Sequence, residues 1–350
     1  MKRFPILLVF ILGSIGLKAQ ECGTQPGKIP FVFSKQKQDS INSILAVNSP
    51  YCIRVYITVF ANNDGSNRAD TDNNILTNFQ YMVNAFKPQN ICFMLINIKQ
   101  INDSDLNAHT LAEEGELAQY MKTGCLNIFI HQTLSGYNGN AYNIPNNYLS
   151  LGSSYNIATM GHEMGHCLGL YHTFETFYGA ENVTRNSGNA CYDCEVDGDL
   201  LCDTPADDDG GVNGSCIYNG GGTDACGVTY TPMTSNMMSY GNFICRTTFT
   251  SGQGARMRST IVGTPLINGL AANDIVNSPS SNNSFIIWNS GESHQTARDQ
   301  LYLSNFANDG YSVSGSAEIH IQSKKIYLKS GTHFYPTTGR VHVKVNPYCD

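Results

Sequence analysis

Apolar and polar positions divide the chain into a patterned front half, a long unpatterned middle and a patterned tail. The run Ile53-Arg54-Val55-Tyr56-Ile57-Thr58-Val59-Phe60 is rich in β-branched and aromatic residues and predicts a strand. From Asn73 to Phe86 the residues Ile75, Leu76, Phe79, Met82, Val83 and Phe86 fall at helical spacing. Ile91 to Ile98 and Leu126 to Ile130 read as further strands, with a helix between them over Leu111 to Met121. Strand, helix, strand, helix, strand predicts a mainly parallel sheet with crossover helices. Gly139 to Pro145 and Tyr148 to Leu151 supply the last strands, one at a sheet edge, and a helix follows over Ala158 to Leu170.

After His172 the periodicity fades and Gly, Asp, Asn and Cys dominate. A loop region of that length is uncommon unless it is functional or covalently stapled. A helix is expected from Thr250, where Thr250-x-x-Gln253 forms a capping box, to about Ile261 with Gly263 near its end. Asn277 to Asn283 reads as a linker. Beyond it, Ile319/Ile321, Ile326/Leu328 and Val341/Val343/Val345 alternate with polar residues, which predicts a small antiparallel β unit.

Composition sets the compartment. Lys2-Arg3, the apolar run Phe4 to Leu17 and Lys18-Ala19-Gln20 have the form of a signal peptide, too short in its apolar part to span a bilayer. Ala19-Gln20-Glu21 before Cys22 does not suit a lipid anchor, and no later segment is apolar enough to cross a membrane. Secretion, to a periplasm or beyond the cell, is the expected fate. The net charge is -7 without basic blocks, which gives no reason to expect nucleic acid. The oligomeric state is not legible. In an oxidising compartment most of the 12 cysteines should pair as disulfides, and Cys191-x-x-Cys194 is better read that way than as a zinc knuckle.

Candidate chemistry is concentrated in Gly161-His162-Glu163-Met164-Gly165-His166-Cys167-Leu168-Gly169-Leu170-Tyr171-His172. On a helix His162 and His166 lie one turn apart on one face, so both imidazoles can reach one ion. Glu163 projects beside them, close enough to act on a water without ligating the metal. Gly169 permits the turn after which His172 supplies a third nitrogen. Three neutral imidazoles suit zinc better than calcium or magnesium, and they leave a fourth position open. By average composition this extended pattern arises by chance in roughly one such chain in a hundred thousand. Glu163 would accept the proton of the attacking water and later deliver it to a leaving amine.

The extended motif resembles that of the metzincin zinc peptidases, and the surrounding residues resemble the pappalysin family, in particular its bacterial cytophagalysin-like members. Asn236-Met237-Met238-Ser239-Tyr240 is similar to the family's Met-turn. The resemblance implies that Met238 lies beneath the zinc and that Tyr240 points its hydroxyl at the catalytic centre. Leu170 to Phe174, Gly198 to Asp207 and Cys245 to Met257 are similar to further stretches of the same family, so the likeness covers about residues 50 to 262. It implies an α/β (α+β) metzincin-type zincin. A twisted, mainly parallel five-stranded sheet with helices would sit over an irregular, disulfide-stapled lower subdomain, with a substrate groove between. The expected organisation is a signal peptide at 1–19, a short propeptide or N-terminal extension at 20–48, a metallopeptidase catalytic domain at 49–270 and a small C-terminal β domain at 284–350.

The implied activity is that of a secreted zinc endopeptidase acting on proteins or peptides. Structural calcium near Asp199 and Thr204 is implied by the resemblance, with solvated loop acids as the plainer reading. The family's disulfide pattern implies Cys194–Cys226 and Cys216–Cys245. Cys22-Gly23-Thr24 resembles a cysteine switch, a propeptide thiolate on the open zinc position, while an ordinary disulfide remains open for Cys22. Members that cleave before basic residues carry an acid where Phe243 stands, so basic specificity does not transfer. Two other readings stand beside this one: a secreted binding or adhesion protein with a structural zinc site, and a zinc amidase acting on a non-peptide amide.

Overall fold

The computed structural model describes residues 20–33, 50–209, 211–280, 284–304 and 310–347. The expected signal peptide lies outside the described residues.

Strands β2 (Tyr51–Ala61) and β3 (Ile91–Asn102) pair in parallel, and helix α1 (Asp72–Phe86) crosses between them. Alternate residues of a strand face opposite sides. Ile53, Val55, Ile57 and Val59 therefore share one apolar cluster with Ile75, Phe79, Met82, Val83 and Phe86 of α1. Cys52 and Tyr56 pack on the opposite face with Met94 and Ile96, and Phe60 packs there with Leu106, Leu117 and Phe129. Both faces are covered, so β2 reads as a near-continuous apolar run.

β4 (Leu126–His131) joins β2 in parallel, β6 (Tyr148–Gly152) joins β4 in parallel, and β5 (Tyr137–Asn140) runs antiparallel to β6. These are the five expected strands. A sixth was not expected: β1 (Gln20–Cys22) adds in parallel to β5, giving the order β1-β5-β6-β4-β2-β3. Three residues held by backbone pairing need no apolar period, and so residues 20–48 carried no signal for it. Cys22 and Thr24 are nevertheless buried.

Helix α2 (Thr159–Cys167) is buried at every position. It ends in a Schellman turn, with Leu170 N donating to Gly165 O at 3.0 Å and Gly169 N to His166 O at 2.9 Å. Gly169 holds φ +90°, and a Cβ there would stand 2.6 Å from Thr260 Oγ1. Helix α3 (Ser251–Gly263) opens on the expected capping box, with Gln253 N on Thr250 Oγ1 at 3.1 Å and Thr250 N on Gln253 Oε1 at 2.9 Å. Its buried Arg256 reaches down to the carbonyls of Asp199 and Leu200, both at 2.6 Å.

Between α2 and α3 the chain is irregular and covalently braced. Among the described residues the disulfides are Cys191–Cys226, Cys194–Cys202 and Cys216–Cys245, with Cys52–Cys92 joining β2 to β3. Cys194 thus differs from the family pattern, since it pairs with Cys202 and leaves Cys226 to Cys191. The reason is local. Gly198 and Leu200 both adopt positive φ, 65° and 62°, and fold the chain back until the Cα atoms of Cys194 and Cys202 are 5.0 Å apart. In a Cys-x-x-Cys pair either thiol can serve a distant partner until that turn is known. Cys22, Cys125 and Cys167 are free and buried.

The C-terminal unit begins at β7 (Ile275–Ser278), whose last two residues overlap the start of the stretch expected as a linker. β8 (Phe285–Trp288), β9 (Glu292–Thr296), β10 (Gln300–Leu303), β11 (Gly310–Gly315), β12 (Glu318–Ser323), β13 (Lys325–Leu328), β14 (Thr332–Pro336) and β15 (Arg340–Val345) follow. They form three faces, β7-β10-β13, β8-β11-β14 and β9-β12-β15, and every pairing is parallel. This is a β-solenoid around Leu301, Leu303, Tyr311, Val313, Ile319 and Ile321, not the expected antiparallel unit. Alternation reports one buried face but not the direction of the neighbouring strand. Gly291, Ser304 and Gly315 have φ of +75°, +56° and +58°, and turn the chain a corner to the next face instead of back on itself.

Digestion of the unreduced protein should yield Cys194 linked to Cys202 and Cys191 linked to Cys226. A dominant Cys194–Cys226 peptide by mass spectrometry would contradict this bracing.

Candidate metal centre

α2 carries His162 and His166, and the turn at Gly169 returns the chain so that His172 meets them. The three Nε2 atoms stand 3.2 Å from one another in every pairing. A tetrahedral zinc site with bonds of about 2.0–2.1 Å separates its nitrogens by about 3.3–3.4 Å. His162 Nδ1 lies 2.9 Å from Met237 O and His166 Nδ1 2.8 Å from Leu170 O. A carbonyl only accepts, so Nδ1 holds the proton and Nε2 presents its lone pair. Burial holds all three imidazoles below their ordinary pKa, His166 at about 4, so they are neutral before any ion arrives.

Cys22 completes the set. Its Sγ is 3.6 Å from His166 Nε2, and the four donor atoms lie within 4.8 Å of one another. A thiolate at about 2.3 Å from a tetrahedral zinc stands about 3.6 Å from a neighbouring nitrogen ligand. The donor set fits zinc. Glu21, one residue earlier, pairs with the buried Arg246 guanidinium, and Tyr178 donates to Gly27 O at 2.8 Å, so the segment is anchored on both sides of the site.

Glu163 is fully buried beside the trio and accepts from Thr24 Oγ1 at 2.9 Å. Burial pushes its pKa up to about 8, against the hydrogen bonds from Cys22 and Thr24 that favour the anion. Gly139 on β5 makes room for it, since a Cβ there would sit 2.6 Å from Glu163 Cγ and 2.7 Å from Oε1. Sequence reasoning placed Gly139 in an edge strand but gave it no role; a glycine inside a strand is the available signal for a close approach.

Met238 is buried under α2, and a Cβ on Gly165 would meet its Sδ at 2.4 Å. Its turn is held by Asn236, which accepts from Met238 N at 2.9 Å and donates to Gln253 Oε1 at 3.0 Å. The Tyr240 ring lies 5.0 Å from that of His172, and its hydroxyl donates to Cys22 O at 3.4 Å. Burial raises its pKa. A cleft of about 330 Å³ opens beside these groups, lined by Cys22, Thr24, His172, Phe174, Glu175 and Tyr240 among others. Phe243 is 42% exposed.

Asp199 and Thr204 lie in the braced region, both buried. Asp199 Oδ2 and Thr204 Oγ1 have no hydrogen-bond partner, nor has either carboxylate oxygen of the buried Glu181, although Arg185 stands 2.8 Å from Glu181 Oε1. Burial pushes Asp199 up to about 7 and Glu181 up to about 9, with mutual repulsion adding to the latter. Sequence reasoning missed Glu181, because only the tertiary fold brings it to Asp199.

A mainly parallel sheet over a buried helix with converging histidines defines a metallopeptidase of the zincin type. The chain belongs to the peptidase M43 family, described as pregnancy-associated plasma protein-A, which matches residues 78–262. It is accordingly a metalloendopeptidase with protein or peptide substrates, and the family implies zinc. An extracellular metalloprotease of Arthroderma gypseum is 26% identical over 290 residues, 73% of this chain and 89% of the relative. Human Pappalysin-1 is 38% identical over 105 residues, 28% of this chain and 6% of that protein. Among solved structures, a Tannerella forsythia promirolysin mutant aligns at TM-score 0.49 and 18% identity, covering 67% of this chain and 90% of its own. No helix among the described residues is long and apolar enough to cross a membrane.

Gly139→Ala should push the Glu163 carboxylate out of place and lower peptide hydrolysis by on the order of 100-fold with zinc content retained. An unchanged rate would show that the approach of β5 to Glu163 does not matter.

Proposed function

We propose that the chain is the latent precursor of an exported zinc endopeptidase, with His162, His166 and His172 as zinc ligands and Glu163 as general base and acid. The observation that carries this is the convergence of three Nε2 atoms at 3.2 Å with Cys22 Sγ 3.6 Å from one of them. Zinc, when bound there, supplies Lewis acidity towards a carbonyl and acidifies water. Glu163 takes the proton from the attacking water and returns it to the leaving amine. Tyr240 donates to the oxyanion of the tetrahedral intermediate. Met238, admitted by the missing side chain of Gly165, forms the floor on which α2 rests.

In the described state neither Glu163 nor the fourth position is available. Thr24 occupies the carboxylate, Cys22 stands at the fourth position, and β1 covers the edge of β5. Removal of the segment containing residues 20–33 frees all three, and an extended substrate can then pair with the exposed edge. Phe243 offers no charge to a basic side chain, so a lysine or arginine preference is not expected from that position. Export is supported by the braced lower half and by relatives named extracellular. The closed four-donor set is also what a structural zinc site would present.

One comparison separates the two readings. Glu163→Ala should retain zinc but lose cleavage of a denatured protein, and full-length Cys22→Ser should cleave faster than the full-length parent. Cleavage at the parental rate by Glu163→Ala would remove that residue from the mechanism. A Cys22→Ser chain as slow as its parent would remove the latency.

Calcium is proposed at Glu181, Asp199 and Thr204, where Glu181 Oε2, Asp199 Oδ2 and Thr204 Oγ1 are buried without an aligned hydrogen bond and the charges of the two acids repel each other, an oxygen set that suits a hard cation. Added calcium should raise the melting temperature of the parent by several degrees and leave Asp199→Asn unmoved. Equal shifts in both proteins would argue against the site.

A further inference from the structure

The solenoid face β9-β12-β15 carries two rows in register. His294, His320 and His342 are paired neighbours, and Glu292, Glu318 and Arg340 form the row two residues earlier. Ile319 and Ile321, between and beyond them on β12, fill the solenoid core. The rows therefore point outward. The outward side is not open water, because this face lies against the catalytic domain. Glu292 accepts from Tyr56 at 2.7 Å and Asn97 at 3.2 Å and pairs with Lys99 at 2.8 Å. His320 is left 3% exposed at that seam.

Three donor atoms converge there. Glu318 Oε1 is 3.3 Å from His342 Nε2 and 3.7 Å from His320 Nε2, and all three lie within 4.8 Å of one another. Neither ring nitrogen of His320, nor His342 Nε2, makes an aligned hydrogen bond. A buried imidazole whose nearest acceptors stand at 3.4 and 3.7 Å without alignment is poorly satisfied. One carboxylate oxygen facing two imidazoles cannot serve both as well as a cation placed among the three. Glu292 Oε1, 3.4 Å from His320 Nε2, is already engaged by Tyr56 and Asn97, and it adds negative charge beside the site.

We propose that Glu318, His320 and His342 bind a second divalent transition-metal ion at the seam between the solenoid and the catalytic domain. Two imidazoles and one carboxylate select zinc-like ions over calcium or magnesium. The two edges at 3.3 and 3.7 Å are near the roughly 3.3–3.4 Å that tetrahedral zinc requires, and a modest turn of the stacked His320 and His342 rings, now 4.6 Å apart, closes the third. His342 and Glu318 side chains are 30% and 34% exposed, so the fourth position opens to solvent. The ion ties β12 to β15, the last rung of this face, and holds both against the row that grips β2 and β3. Its role is a staple, where the lower half of the catalytic domain uses disulfides.

The test is metal stoichiometry on the full chain. Zinc is loaded, excess is removed by gel filtration, and zinc per chain is read by mass spectrometry. The parent should retain two ions, and His342→Gln and Glu318→Gln one each, with peptide cleavage after processing unchanged in both. His166→Ala should also retain one, so failure of the catalytic site and failure of this one are read separately. Circular dichroism on the two solenoid variants separates loss of a ligand from loss of the fold. Zinc should raise the melting temperature of His166→Ala by several degrees and that of the His166→Ala/His342→Gln double variant by none. A parent with a single ion that His166→Ala removes, or full stoichiometry in both solenoid variants, overturns the proposal.

Discussion

Everything at the metal centre depends on how closely α2 approaches the Met237-Met238 segment. Gly161 and Gly165 face the two sulfurs, and a Cβ at either would stand 3.2 or 2.4 Å from Sδ. That contact lets one helix satisfy two demands. Its apolar side joins the sheet core through Met160, Met164 and Cys167. Its histidines meet backbone carbonyls of Met237 and Leu170, which orient both rings. Ring orientation is thus set by the main chain, which cannot adopt rotamers. A binding trio built this way is preorganised before metal arrives.

The second constraint is charge burial. Glu163, Arg246 and Arg256 are all buried, and each is handled differently. Arg256 is spread over two carbonyls and helps clamp α3 to the lower half. Arg246 meets Ser239 O at 3.0 Å and the N-terminal Glu21. Glu163 has only weak compensation, and burial accordingly raises its pKa. Two of these three charges are therefore neutralised or hydrogen-bonded by the N-terminal segment, which links the packing of residues 21–24 to the electrostatics of the cleft.

Legibility in the sequence followed the physical origin of each feature. The five sheet strands, α1, α2 and α3 carried periodicity or capping residues, and those are local. The three histidines were legible because one helix turn and one glycine fix their geometry. β1 was not, because backbone pairing leaves no mark on composition. Cys194 was expected with Cys226 and pairs instead with Cys202, because the choice rests on positive φ at Gly198 and Leu200. The solenoid was misread as antiparallel for a related reason: Ile319/Ile321 and Val341/Val343/Val345 alternate identically in either direction, and only the corners at Gly291 and Gly315 decide. Glu181 and Gly139 act through partners distant in sequence, and a single chain does not display such pairs.

The edge of β5 joins these points. β5 is the one strand antiparallel to its sheet neighbour β6, and its outer edge borders the metal centre. An unpaired edge of this kind invites association with another chain. For a peptidase that hazard is also the means of holding an extended substrate. β1 resolves the conflict by pairing Gln20 with Tyr137 and Cys22 with Gly139, the same residue whose missing side chain admits Glu163. Cover for the edge, a thiol for the imidazole trio and a hydroxyl for Glu163 all come from one short extended segment, residues 20 to 24. If the segment holds the enzyme latent as proposed, the strand that covers the edge also brings a thiol to the three imidazoles and a hydroxyl to Glu163, so one short element serves all three ends.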